Sequence, residues 1–168
     1  MATAIVAGLA SAIVAALKVI QQSWQISDAY MTTSSELRRG IDAMSRELAS
    51  TQSAQLVGLP ADGNWYTSLI FAVPADVDGD GTVLNSGGNL EWSSAITYSR
   101  GGTTGTQALR TQAGNLNRVM ANGVTTLRFR RQVVTPNIVE INMTVLRGTS
   151  TTDYPNQASL SGRVRLRN

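Results

Sequence analysis

The chain has 168 residues, enough for one domain with a core of its own, and it contains neither cysteine nor histidine. Disulfide frameworks, thiol chemistry and imidazole-based acid–base or metal chemistry are therefore excluded, and an enzyme is not expected. The net charge of +3 is uneven: residues 1–99 carry four basic and nine acidic side chains (−5), residues 100–168 ten arginines against Glu140 and Asp153 (+8).

The first element is a run of seventeen residues without a charge, ending at Lys18. It lacks the basic start of a secretion signal. As a helix it reaches roughly 25 Å, a little short of a hydrocarbon core of about 30 Å. Ile5, Leu9, Ile13 and Leu17 recur every four residues, as do Ala4, Gly8, Ala12 and Ala16. One ridge is large and its neighbour small, a pattern that lets helix backbones approach closely. Lys18 then reads as a side chain snorkelling at a membrane edge.

Apolar positions continue through Ile20, Trp24, Met31, Leu37, Ile41, Met44 and Leu48 at near-helical spacing, and Gly58 with Pro60 forms a stop signal. The prediction is one helix from near residue 2 to about residue 55, roughly 80 Å long, part of which must leave the globule. Thr33-Ser34-Ser35-Glu36 reads as a capping box that would begin a second helix, and Gly40 weakens the interior by about 1 kcal/mol. Continuity is nevertheless the expectation.

After Pro60 the period becomes two. Segments 65–73, 93–99, 107–111, 124–132, 138–146 and 159–167 read as strands between Gly-, Asn- or Pro-bearing turns. Leu127 and Phe129 oppose Arg128 and Arg130, and Val139, Ile141, Met143 and Val145 oppose Glu140, Asn142 and Thr144. Such alternation predicts an antiparallel sheet wet on one side and covered on the other by the Ile41–Leu48 helix face. The fold class is α+β: a helix over 1–57, with 1–20 apolar and 21–57 amphipathic, and a β-rich head over 58–168.

This arrangement resembles the type IV pilin superfamily. "MATAIVAGLASAIVAAL" looks like the inner part of the class III signal and transmembrane region, and "ELRRGIDAMSRELAS" is similar to the later helix of J-like and W-like minor pseudopilins. "VDGDG", "AITYS", "ALRT" and "VTTLRFR" follow in the order seen in those proteins. The family's basic leader and its Phe-Thr-Leu-x-Glu start are missing, and position 5 is Ile rather than glutamate. The chain is therefore expected to begin inside the family's helix, through a misplaced start or a trimmed sequence. The resemblance implies a structural minor subunit of a type IV pilus or type II secretion pseudopilus. Its implied location is the bacterial inner membrane, with an exported head, and then the filament. Its implied partners are lipid before assembly and other subunits afterwards. A DNA-capturing or adhesive tip subunit is the alternative within the superfamily, and an unrelated single-anchored protein with an exported β domain the alternative outside it.

Two further sites are candidates. In "DVDGDGTV", Asp76, Asp78, Asp80 and the Thr82 carbonyl occupy the first, third, fifth and seventh positions of a calcium loop, but the twelfth is Gly87, with Glu91 four residues on. A plain Asp/Gly turn is the competing reading, and no other cofactor is expected. Arg128, Arg130, Arg163, Arg165 and Arg167 would form a basic stripe if their strands are neighbours. No tyrosine or tryptophan interleaves with them in the sequence, so nucleic acid is not the expected partner and a solvated or subunit-facing strip is.

Overall fold

The computed structural model describes residues 2–147 and 156–167, with the side chains of residues 2–7, 147 and 156 outside that description. It contains a single unbroken helix, α1, over Ala2–Ser50, packed on antiparallel β-structure. No proline precedes Pro60, so nothing within α1 removes a ladder hydrogen bond. Hydroxyls in and beside the suspected capping box turn backwards instead. Thr32 Oγ1 donates to Asp28 O at 2.9 Å, Thr33 Oγ1 to Ala29 O at 2.7 Å, and Ser35 Oγ to Thr32 O at 2.9 Å. Glu36, which would close the box, instead accepts the Asn122 amide of the sheet at 3.3 Å. A tertiary partner has taken the group the local motif needed.

The helix ends at Ser50, short of residue 55. Gln52 is extended (φ −102°, ψ 156°), and the buried Thr51 donates its hydroxyl to Ala72 O. Among the described residues eight strands follow: β1 (Leu56–Val57), β2 (Ser68–Phe71), β3 (Ile96–Gly101), β4 (Gln107–Gln112), β5 (Arg118–Asn122), β6 (Val124–Arg131), β7 (Ile138–Arg147) and β8 (Asn156–Arg165). They form two antiparallel sheets rather than one, ordered β1-β2-β3-β4-β5 and β6-β7-β8. The chain passes between sheets at Gly123, whose φ is +68° and where a Cβ would lie 2.7 Å from Leu146 O. Only glycine fits both requirements.

Two departures from the expected strands have local causes. Segment 65–73 is divided because Tyr66 pairs with Phe129 of the second sheet, whereas Ser68 onward pairs with β3. Strand β5 escapes periodicity because the β4–β5 register shifts between Ala108 and Leu109, so consecutive Met120 and Ala121 are both buried.

The core lies between α1 and the two sheets. Leu37, Ile41, Met44 and Leu48 of the helix are buried with Leu127, Phe129, Val139, Ile141, Met143 and Val164, and with Leu69, Phe71, Ile96 and Tyr98 of the first sheet. Each such side chain contributes about 1.5–3 kcal/mol of apolar burial. Two glycines set the approach. A Cβ on Gly40 would stand 2.8 Å from Met143 Cε, and one on Gly162 would stand 2.8 Å from Ile41 Cγ2. Gly40 thus gives up helix propensity for a close helix–sheet contact.

A polar clamp completes the joint. Glu47 accepts Tyr98 Oη at 2.6 Å and Arg110 Nε at 2.9 and 3.0 Å. Burial, together with the adjacent carboxylate, pushes the Tyr98 phenol far above its ordinary value, so it stays a neutral donor. Glu47→Ala leaves both donors without an acceptor and is expected to lower unfolding stability by about 2–3 kcal/mol. Glu47→Gln, which keeps an acceptor, should lose less; chemical denaturation of the two variants checks the order.

Candidate functional site

Residues 8–25 of α1 are exposed at every position. Of the large ridge, Leu9, Ile13 and Leu17 keep 60, 58 and 53% of their surface exposed, and Gly8, Ala12 and Ala16 of the small ridge are exposed beside them. The side chains of Ala4 and Ile5 lie outside the described residues. At 100° per residue the large ridge continues into Ile20, Trp24 and Met31, which are exposed as well. This outer stripe stands roughly a third of a turn away from the Leu37–Leu48 face that enters the core. Sequence periodicity ran the two together. They are separate surfaces: one faces the chain's own sheets, and the other faces none of them. Among the described residues no helix is long and apolar enough to cross a membrane.

The acidic loop brings together a different set from the sequence pattern. Carboxylate oxygens of Asp76, Asp78 and Glu91 lie within 4.8 Å of one another; Asp80 is outside the group. Glu91, four residues past the twelfth position, is thus the third carboxylate of the cluster. Asp80 bonds instead to Thr82, accepting its amide at 2.8 Å and its hydroxyl at 2.9 Å. The three clustered carboxylates also accept backbone amides: Asp76 those of Gly79 and Gly81, Asp78 that of Asp80, and Glu91 that of Val77. The loop is a chain of Asx turns that already supplies its carboxylates with donors.

The arginines do form a shared face, but a partly neutralised one. Arg130, Glu140 and Arg163 are aligned across β6, β7 and β8. Glu140 is buried and accepts Arg130 Nε, Arg163 Nε at 2.7 Å and Gln132 Nε2 at 2.7 Å. Arg165 and Arg167 are exposed at the end of the stripe. An aromatic ring does interleave with the arginines, contrary to the sequence reading. The Arg128 and Arg130 guanidinium carbons lie 5.6 and 4.6 Å from the centre of the Trp65 ring. Trp65 is more than sixty residues away in the chain, so no local pattern could have paired it with them.

No protein-family model, curated protein or solved structure matches the chain. Its chemistry therefore has to be read from these surfaces.

Two outcomes follow from the charges. Burial alone would raise the Glu140 carboxyl, but the hydrogen bonds from Arg130 and Gln132 and the charges of Arg130 and Arg163 outweigh it and hold it below its ordinary value. A depressed carboxyl stabilises the fold fully above its unfolded value, and that contribution is lost as pH falls through the folded one. Glu140→Gln should therefore melt lower than the parent at neutral pH, with the gap closing from about pH 5 to about pH 3. For the acidic loop, melting of the full chain in millimolar calcium and in chelator, at matched ionic strength, should coincide. A rise of several degrees that disappears in Asp78→Ala would instead mark a bound ion.

Proposed function

We propose that the chain is a structural minor subunit of a type IV filament, either a pilus or a type II secretion pseudopilus. In this reading the first part of α1 is held in the inner membrane until extraction and afterwards packs against the corresponding helices of other subunits. The observation that carries it is the exposed stripe of Leu9, Ile13, Leu17, Ile20 and Trp24 on a helix whose later half is committed to the head. A row of large apolar side chains facing water is costly, at about 25 cal/mol per Å² of surface left uncovered. Lipid or other helices relieve that cost, and the move from one to the other is what assembly of such a filament requires.

The small ridge supports helices rather than lipid as the final cover. A Cβ on Gly8 would meet nothing within 4 Å among the described residues beyond its own helix, so they do not require a glycine there. A neighbouring backbone would. A nucleic-acid-capturing tip subunit is less well supported, because Glu140 engages two of the five stripe arginines.

Gly8→Leu tests the proposal directly. The variant should reach normal subunit levels with an unchanged head, as judged by its thermal unfolding, and should fail to enter filaments. Normal piliation or secretion at normal subunit levels would falsify the packing role.

A further inference from the structure

A groove of about 490 Å³ opens where the two sheets part company, between the β2–β3 pair and the start of β6. Its origin lies in the strand pairing. Phe129 exchanges backbone hydrogen bonds with Tyr66 at 2.8 Å in both directions, and the Gly63 amide reaches Arg131 O at 3.2 Å. One step further along, the chain leaves β6 to pair with β3, and among the described residues no strand pairs with Leu127 on that side. Amides alternate in direction along a strand, so the Leu127 N–H points the same way as that of Phe129, toward the groove.

The walls are donors. Ser68 and Ser99 are cross-strand partners and line one wall. Arg100 and Arg128 stand on opposite walls, and neither forms an ion pair among the described residues. This separates them from Arg110, Arg130 and Arg163, which are all held by glutamates. Arg100 is steadied by donating to Thr125 O, and Arg128 by its place over Trp65; neither contact neutralises a charge. No carboxylate lines the groove.

We propose that this groove is a binding site for a phosphate group. Two uncompensated guanidiniums on opposite walls, with a strand amide between them, match a tetrahedral dianion, which accepts several charge-assisted hydrogen bonds at once. A neutral polar ligand would leave both positive charges unanswered. The volume exceeds what a lone phosphate fills, leaving space for a group esterified to it. The site is independent of the filament reading: it lies on the head, away from residues 8–25.

The test is calorimetric titration of the full chain in non-ionic detergent, at low chloride and matched ionic strength, with inorganic phosphate and with glycerol 3-phosphate. Saturable binding of either ligand is expected, weakened about tenfold or more in Arg128→Gln. Arg165→Gln removes the same charge outside the groove and should bind like the parent. Arg100→Gln should match Arg128→Gln; because Arg100 also braces Thr125, Arg128→Gln decides if the Arg100 variant melts lower. Tighter binding of the ester would identify a phosphoester as the natural ligand, and equal or tighter binding of inorganic phosphate would identify the free ion. Absence of saturable binding, or an equal loss in Arg165→Gln, would overturn the proposal.

Discussion

Everything in the head depends on how closely the later half of α1 can lie against the two sheets. The helix side chains that close the core over the two sheets are Leu37, Ile41, Met44 and Leu48. The approach is set by absent side chains, at Gly40 on the helix and Gly162 on β8. Given that approach, Glu47 can reach Tyr98 and Arg110, and Glu36 can reach the end of β5. Tyr98 extends the contact sideways: its ring lies 5.1 Å from Phe71 in its own sheet and 6.5 Å from Phe129 in the other. The aromatic row helps make one core out of two sheets that also meet through Gly123, the pairing at Tyr66 and the Arg100–Thr125 hydrogen bond.

The class of fold was legible because hydrophobic period is a local property. The change from a near-helical period to two after Pro60 marks the boundary between helix and strands, and the alternation in β6 and β7 identifies which side chains enter the core. What was not legible depends on distant partners. The split at Tyr66 follows from competition between β3 and β6 for one segment. The failure of the Thr33–Glu36 box follows from Asn122, eighty-six positions along. The extent of the helix was overestimated because Thr51 turns into the core to reach Ala72, which no helix-stop residue announces.

The candidate sites divide along the same line. Exposure of the Leu9–Leu17 ridge could be anticipated, since a helix of this length outruns any core the chain could build. That the stripe goes on through Trp24 to Met31, on a different side from Leu37, could not be separated from the core pattern without the sheets in place. Among the arginines, sequence alternation picks out Arg128, Arg130, Arg163, Arg165 and Arg167 as one stripe but cannot tell which of them is neutralised. The fold sorts them by whether a glutamate happens to lie opposite, and Glu140, at the centre of its sheet, engages two of them.

The continuity of α1 through residues 26–35 also has a mechanical side. A jointed helix would let the head swing or swivel relative to the apolar segment, whereas an unbroken one carries axial load and torque from one end to the other. The hydroxyl back-bonds at Thr32, Thr33 and Ser35 favour a gentle bend over a swivel, because each leaves the backbone ladder closed. Whatever grips residues 8–25 therefore also dictates the azimuth of the head. The direction in which β8, the acidic loop and the groove between the sheets face is set by rotation about the helix axis, far from any of them.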